Sequence, residues 1–502
     1  MKKIKLILAI FLAAALIFGC TDNNEPDTRD ISPQTEADGS SGGNEDNNTD
    51  SEGSGSVEAR PEYDLPVEDF GGYNFRIISR SVETGGWGNP EIAAEEETGD
   101  PINDAVYNRN RAIEEAYNMR IINIASMDVE TQAGNSIRAA SDDFDIIVVG
   151  LNRQLSLKTS GGLYNLYNVP HVNLSGAWWD QRAVEQLSVI NKLYVTTGDL
   201  TIRDKDSAAI FLFSKQLISD LGLADPYGLV ASDTWTFDVM YDMMRAATRD
   251  LNGDGIIDDE DQIGLITANE YARYLFNASG EFMSTLGADS VPQITIYNER
   301  AVAVTEKIKE IQGAREYALN AQDFSNKYAD IWGDFQTPMF AGNRALFFHC
   351  RMAHITALRD MDSDFGILPP PKFDSSQESY HAVVGTWTAS GVSVPHTVAD
   401  PEKTGLILEA LVHEGRYTLL PAYYDINLKT KMARDEESVA MIDIILESRL
   451  YDLGELYGWG DMAAFLEGLS QGTGTLTTFW ERNAERAERA MQATLDRLES
   501  LD

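Results

Sequence analysis

Phe144-Asp145-Ile146-Ile147-Val148-Val149-Gly150 is a short, continuously apolar run that ends on glycine, and it reads as a strand buried on both faces. Two strands precede it: Tyr73-Asn74-Phe75-Arg76-Ile77-Ile78, and the stretch from Met119 to Ala125. Between them Asp100-Pro101 supplies an N-cap and a proline at the first helical position. Ile102, Ala105, Val106, Ile113 and Ala116 then repeat at helical spacing, and Glu130 to Ala140 reads as a second helix. A β-α-β-α-β order implies a parallel sheet with helices on both faces, so the fold class is α/β. Ligands of such sheets bind beyond the carboxyl ends of the strands. Here those ends carry Trp87, in the Gly85-Gly86-Trp87-Gly88-Asn89-Pro90 loop, and the Leu151-Asn152-Arg153 loop.

Upstream, Lys2, Lys3 and Lys5 precede an apolar run from Leu6 to Phe18. The run is short for a membrane span and no stop-transfer pattern follows, so residues 1–19 read as a secretory signal. Ile17-Phe18-Gly19-Cys20 resembles the bacterial lipobox, in which cleavage before the cysteine leaves a thiol that is acylated, with palmitate among the expected chains. Phe18 is bulkier than the usual residue at its place. Residues 20–60 then form a spacer. From Thr21 to Arg60 there are eleven acidic residues, two arginines and no aromatic residue, too little apolar surface to fold. As a coil it reaches roughly 35 Å. The expected location is the outer face of the cell membrane, with the chain held by a lipid anchor.

The 502 residues allow more than one domain, and 43% hydrophobic residues suffice for a large core. The net charge of −40 becomes −43 once three lysines leave with the signal. So acidic a chain is a poor partner for nucleic acid or for anionic lipid headgroups. Cys20 and Cys350 are the only cysteines, so lipidation of the first leaves no intramolecular disulfide.

Beyond the first sheet the order of short segments carries further meaning. Gly161-Gly162-Leu163-Tyr164-Asn165-Leu166, Trp178-Trp179-Asp180 and Lys192-Leu193-Tyr194-Val195-Thr196-Thr197-Gly198-Asp199 come first. Asp233-Thr234-Trp235-Thr236-Phe237, Gly342-Asn343-Arg344-Ala345-Leu346-Phe347 and Phe365-Gly366-Ile367-Leu368-Pro369 follow. In that order they resemble the extracellular solute-binding proteins of ABC importers, family 1, the maltose-binding-protein-like group. The resemblance covers Tyr73 to about Tyr424. The stretch from Arg300 to Trp332 and the last seventy residues match none of its motifs.

The resemblance implies a periplasmic-binding-protein-like fold of two α/β lobes joined by hinge crossings. Lobe one would comprise 61–204 and 386–426, and lobe two 205–385 and 427–502. It also implies a monomer that captures a small solute, a carbohydrate or oligosaccharide, between closing lobes and delivers it to ABC permease subunits in the membrane. The crossings would fall near Asp199 to Asp206 and near Gly385 to Gly391. Three C-terminal helices read as scaffold. One is capped by Asp400-Pro401 and ended by Gly415, one carries Ala440, Met441, Ile444 and Ile445, and one runs from Thr478 to Leu498.

Asp250-Leu251-Asn252-Gly253-Asp254-Gly255-Ile256-Ile257-Asp258-Asp259-Glu260-Asp261 has the pattern of a twelve-residue Ca²⁺ loop. Asp250, Asn252, Asp254, Asp258 and Asp261 would supply side-chain oxygens and Ile256 a carbonyl, with Gly255 at the turn and Ile257 as apolar plug. Asp261 stands where an EF-hand usually has Glu, which resembles dockerin-type loops. The flanks read as a helix before and a strand after. Calcium here would be structural, and an acidic turn solvated by water is the plain alternative.

Sugar sites combine aromatic walls with a few placed polar groups. Trp87, Trp178, Trp179 and Trp387 lie in loops or near the crossings, with Arg153, Asp180 and Asp199 as polar neighbours and Tyr424 beside the hinge. These are the candidate substrate-binding residues, while Trp235 at a helix start reads as packing. No Gly-x-Ser-x-Gly, Ser-x-x-Lys, His-Glu-x-x-His or Gly-Lys-Ser/Thr motif is present, so no catalytic residue is assigned and the chain reads as a non-enzyme. A hydrolase with a carboxylate pair remains an alternative, because such partners lie far apart in sequence. A calcium-stabilised surface adhesin is the other.

Overall fold

The structure, a computed structural model, describes residues 65–501 apart from 314, 360, 425, 427 and 429–432. The signal, Cys20 and the spacer lie outside the described residues. Two larger sheets are built from β1 (Tyr73–Arg80), β2 (Met119–Ser126), β3 (Ile146–Gly150), β4 (Ala209–Ser214), β5 (Ile263–Thr267), β6 (Ala318–Asn320), β7 (Ala345–Arg351), β8 (Phe365–Leu368) and β9 (Ser390–Ser393).

The first sheet has the order β9-β3-β1-β2. β1 pairs parallel to both β2 and β3, with Ile77 opposite Ile146. This is the geometry that the β-α-β-α-β order requires. Every residue of β3 is buried, so its two isoleucines and two valines each add about 1.5–3 kcal/mol of burial. β9 returns more than two hundred residues later in the sequence and closes the sheet antiparallel, with Ser390 opposite Gly150.

The second sheet has the order β8-β4-β7-β5-β6. β5 runs parallel to β6 and β7, while β4 is antiparallel to β7 and β8. The carboxyl ends of β5, β6 and β7 therefore lie on one side. Each sheet buries apolar side chains against its own helices.

Helices α1 (Pro101–Tyr117) and α2 (Val129–Arg138) accompany the first sheet. Asp100 caps α1 by accepting from the N–H groups of Ile102 and Asn103. The buried face of α1 also carries Arg109, which donates to the carbonyls of Leu200, Glu91 and Ile92. The second sheet is covered by α3 (Phe237–Ala247), which Thr236 caps, and α4 (Glu270–Ala278). α5 (Pro401–Tyr417) packs on α1. It runs two residues past Gly415, which was expected to end it. Gly415 instead marks a close approach: a Cβ there would collide with the carbonyl of Asp199.

α6 (Glu436–Glu447) packs on β8 and α7 (Met462–Leu469) on α4. α8 (Leu476–Glu499) buries Ala487, Leu495 and Leu498, and pairs Glu485 with Arg489 on its exposed face at 3.1 Å. Its last turn reaches the first sheet's side of the molecule. Lys192 donates to the carbonyls of Leu498 and Leu501, and Arg497 donates to that of Thr159 at 2.6 Å. The C-terminal region thus touches both halves. Among the described residues no helix is long and apolar enough to cross a membrane.

Candidate functional site

Loops at the carboxyl ends of strands in both sheets converge on a cleft of about 790 Å³. The first sheet contributes Trp87 after β1, Asn152 after β3, and Thr386, Trp387 and Thr388 on the way into β9. The second contributes Glu270 and Arg273 after β5, Gln322 after β6, and Arg351 and His354 at the end of β7. Asp330 and Trp332 enter from the connection between β6 and β7, and Glu455 and Glu467 from the C-terminal region.

Three tryptophans give the cleft its apolar character. Trp387 is 45% exposed, a large cost in water unless a ligand covers it. Trp87 and Trp332 each lie 6.4 Å from the His354 ring, inclined at 62° and 57°. The loops bearing Trp87 and Trp387 are tied together by Arg80, the last residue of β1. Its guanidinium donates to the carbonyl oxygens of both, at 3.2 Å each. This geometry needs Gly150. A Cβ at that position would stand 2.5 Å from Arg80 Nη2 and 2.6 Å from the Trp387 carbonyl oxygen. Burial, with Arg203 and Arg153 nearby, pushes the Arg80 guanidinium down to about 10, which leaves it charged at neutral pH.

The polar wall comes from charged pairs. Arg351 binds Glu270 at 3.3 Å and donates to the Tyr274 hydroxyl at 3.2 Å. Arg273 binds Glu455 at 3.2 Å and also Glu467. Glu455 Oε1 further accepts from the backbone N–H of Thr386 at 3.2 Å and its hydroxyl at 3.0 Å. Even so, Asn152 Oδ1, Arg273 Nε, Arg351 Nε and Glu455 Oε2 are buried without a hydrogen-bond partner among the described residues. Buried groups of this kind carry a penalty until a ligand or water meets them. His354 stays neutral: burial and the adjacent Arg351 push its imidazole down to about 4.

The substrate-binding residues read from the sequence divide between places. Trp87 and Trp387 meet in the cleft. Arg153 lies just beside it, 5.8 Å over the Trp387 ring and lining a smaller cavity with Arg80 and Glu130. Trp178 and Trp179 are 5% and 2% exposed, and their indole N–H groups donate to the two oxygens of Glu409 at 2.8 and 3.0 Å. They are packing residues, because one carboxylate inside the core can satisfy both indoles. Trp235 is likewise buried, donating to the Pro369 carbonyl.

Asp180, Asp199 and Tyr424 border a second cavity of about 490 Å³ that shares no lining residue with the cleft. There Lys205 binds Asp199 at 3.0 Å and Asp204 at 3.1 Å, while Arg449 binds Asp180 at 2.8 Å and Asp204 at 3.5 Å. Asp180 also caps the helix Gln181–Leu187. Burial alone would raise its carboxyl, but Arg449 and Lys205 outweigh it and hold it down at about 2. At Asp199 burial prevails and the carboxyl is raised, against the pull of Lys205 and Arg416. Asp199 and Asp204 pair with Lys205 in the segment that leads into β4, and none of these carboxylates shares a cavity with Trp87, Trp332 or Trp387.

The acidic loop lies between α3 and β5, a helix and a strand as its flanks suggest. Its oxygens bind its own backbone. Asp250 accepts from Gly253 and Gly255, Asn252 from Asp254, Asp254 from Ile256, and Asp258 from Glu260. Asp261 is buried and accepts from Leu251 and Asp258, and Ile257 packs against the core. Among the described residues no three His, Cys, Asp or Glu side chains converge as they would around a metal ion.

Several cleft residues were not legible in the sequence. Trp332 and Asp330 belong to the stretch that matched no motif. Arg351 and His354 follow an apolar strand, and the carboxyl-end rule, applied to the second sheet as to the first, points to them.

No family model matches the chain, and no curated protein matches its sequence. Solved structures do resemble it in three dimensions. The maltose-binding periplasmic protein MalE from Listeria monocytogenes, in complex with maltose, aligns at 12% identity over 84% of this chain and 98% of that one, with a TM-score of 0.54. MalE from Bdellovibrio bacteriovorus, bound to maltotriose, aligns at 13% identity over 84% and 100%, with a TM-score of 0.53. The fold is that of a two-lobed periplasmic-binding-protein-like molecule. The GacH receptor of Streptomyces glaucescens, solved unliganded and with acarbose, aligns at 12% identity over 86% and 100%, with a TM-score of 0.51. The two sheets are the centres of the two lobes, and the tryptophan-lined cleft lies between them.

Proposed function

We propose that the chain is the substrate-binding protein of an ABC importer and that it captures an oligosaccharide between its lobes. The observation that carries this reading is the cleft itself: Trp87, Trp332 and Trp387 line it together with residues whose buried polar atoms have no partner among the described residues. Aromatic faces suit the apolar faces of pyranose rings, and unpartnered N–H and carboxylate groups suit hydroxyls, which both donate and accept. The sugar ligands of the similar structures agree with this choice. Capture needs no covalent step, because a ligand that binds the closed form more tightly than the open one drives closure by itself.

The finer features of the reading rest on sequence. Cys20 would carry the lipid anchor on the outer face of the membrane, residues 20–60 would be the leash, and the closed monomer would dock on permease subunits. The lobes would be 61–204 with 386–426, and 205–385 with 427–502. Calcium at Asp250, Asn252, Asp254, Ile256, Asp258 and Asp261 would brace the connection between α3 and β5.

A thermal-shift screen of the full chain against neutral oligosaccharides of different linkage tests the function. A ligand at a hundred times its Kd adds about 2.7 kcal/mol to stability. Recovery of the bound glycan intact supports a receptor. Its cleavage would turn the cleft carboxylates into a hydrolase site and refute the reading.

A further inference from the structure

We propose that the cleft also sorts glycans by charge, admitting uncharged and amine-bearing oligosaccharides and rejecting those with carboxylate, sulfate or phosphate groups. This rests on the saccharide reading above and adds a selectivity to it. The carboxylates of Glu270, Asp330, Glu455 and Glu467 line the cleft, against the guanidiniums of Arg273 and Arg351. Both guanidiniums are already engaged, Arg351 by Glu270 and Arg273 by Glu455 and Glu467. The pairs use Nη atoms, and the buried Nε–H groups are left without a partner among the described residues. An anionic ligand would face four carboxylates against two guanidiniums, and could reach a paired Nη atom only by breaking a pair in a partly desolvated site.

Two carboxylates lack a full set of donors. The Glu455 side chain is 5% exposed, and its buried Oε2 has no partner among the described residues. A hydroxyl or an ammonium on the ligand supplies the missing hydrogen, and a carboxylate does not. Asp330 accepts only the backbone N–H of Trp332, at 3.0 Å, and no cation pairs with it among the described residues. A carboxylate next to an indole is a favourable place for an ammonium, which gains from the charge and from the ring face. Among the described residues no other lysine or arginine lines the cleft. His354 is neutral, Arg80 is turned onto two carbonyls behind the tryptophan loops, and Arg153 faces Glu130 at 3.8 Å.

The test is calorimetry on the full chain with maltotetraose, cellotetraose and mannotetraose. Each is supplied neutral, oxidised to the carboxylate at C6, and aminated at C6. For whichever backbone binds, the carboxylate form is expected to bind at least about tenfold more weakly than the neutral form, and the amine form at least as tightly. Raising the ionic strength should narrow both differences in the unmodified protein. Glu467→Gln releases Arg273 from one of its partners, so it should raise the affinity for the carboxylate form relative to the neutral one. A carboxylate form that binds as tightly as the neutral form overturns the charge inference and leaves the saccharide reading standing. If no form of any backbone binds, the saccharide reading fails and this inference fails with it.

Discussion

Arg351, at the end of β7, holds its guanidinium over the indole of Trp87, with the central carbon 5.5 Å from the ring centroid. One residue belongs to the second sheet and the other to a loop of the first, so the stack spans the two lobes. Trp87→Ala removes a cleft-lining ring and this cross-lobe contact together. Calorimetry should show at least about a tenfold loss of oligosaccharide affinity, ~1.4 kcal/mol. Unchanged affinity would place the ligand elsewhere.

Gly150 and Arg80 make a subtler prediction. Gly150→Ala forces a methyl group against Arg80 and the Trp387 carbonyl, and overpacking of this kind costs about 1–3 kcal/mol. Because Arg80 ties both tryptophan loops, ligand affinity should fall along with melting temperature. A variant that melts lower but binds normally would show that the brace does not position the rings.

The crossing beside β4 depends on Arg449. Its replacement by Met removes the cation that bridges Asp180 and Asp204 and leaves Lys205 as the remaining cation beside them. Removing one partner of a buried pair costs about 3–5 kcal/mol, which urea denaturation of Arg449→Met should show. A loss below about 1 kcal/mol would mean that these charges are effectively solvated.

Stability should also respond to acid through Asp452, which is buried against Met283, Asn277 and Gly454. Burial pushes its carboxyl up to about 6, and hydrogen bonds from those three neighbours only partly offset this. A folded-state value above the unfolded one, about 3.9, means that the native state binds the proton more tightly. This group therefore adds stability as pH falls through about 6, up to roughly 3 kcal/mol below the unfolded value. Denaturation of the native chain and of Asp452→Asn between about pH 4 and pH 6 should differ by this slope. Equal slopes, or a slope of opposite sign, would contradict the assignment.

For the acidic loop the proposal is a structural Ca²⁺ site. Added Ca²⁺ should raise the melting temperature of the full chain, and Asp254→Ala together with Asp258→Ala should abolish the rise. A response that survives both substitutions would place the ion elsewhere.

The first sheet was readable because local patterns and tertiary structure agree there. The apolar run at β3 and the cap at Asp100 each have one physical solution, whereas the returning strand at Ser390 was not read from the sequence. The cleft was half readable. Trp87 and Trp387 stand in loops at strand ends and line one cleft, whereas Trp178 and Trp179 stand in an equally loop-like stretch and turn inward. What separates them is Glu409, more than two hundred residues away in sequence, and no local pattern reports such a partner. Trp332, Glu455 and Glu467 were missed for the same reason. Their place is set by the packing of the C-terminal region on α4 and by the connection into β7. Gly415 shows the limit in another form, since a helix-ending glycine and a close-packing glycine look alike until the neighbour is known.

The measurement that bears most directly on the account is calorimetric titration of the full chain with neutral tetrasaccharides, paired with Trp387→Ala. The account predicts saturable binding of one backbone, recovery of that glycan intact, and loss of binding in the variant, whose exposed ring is the face that the ligand should cover. Absence of binding by every backbone, cleavage of the one that binds, or full affinity in Trp387→Ala would contradict it.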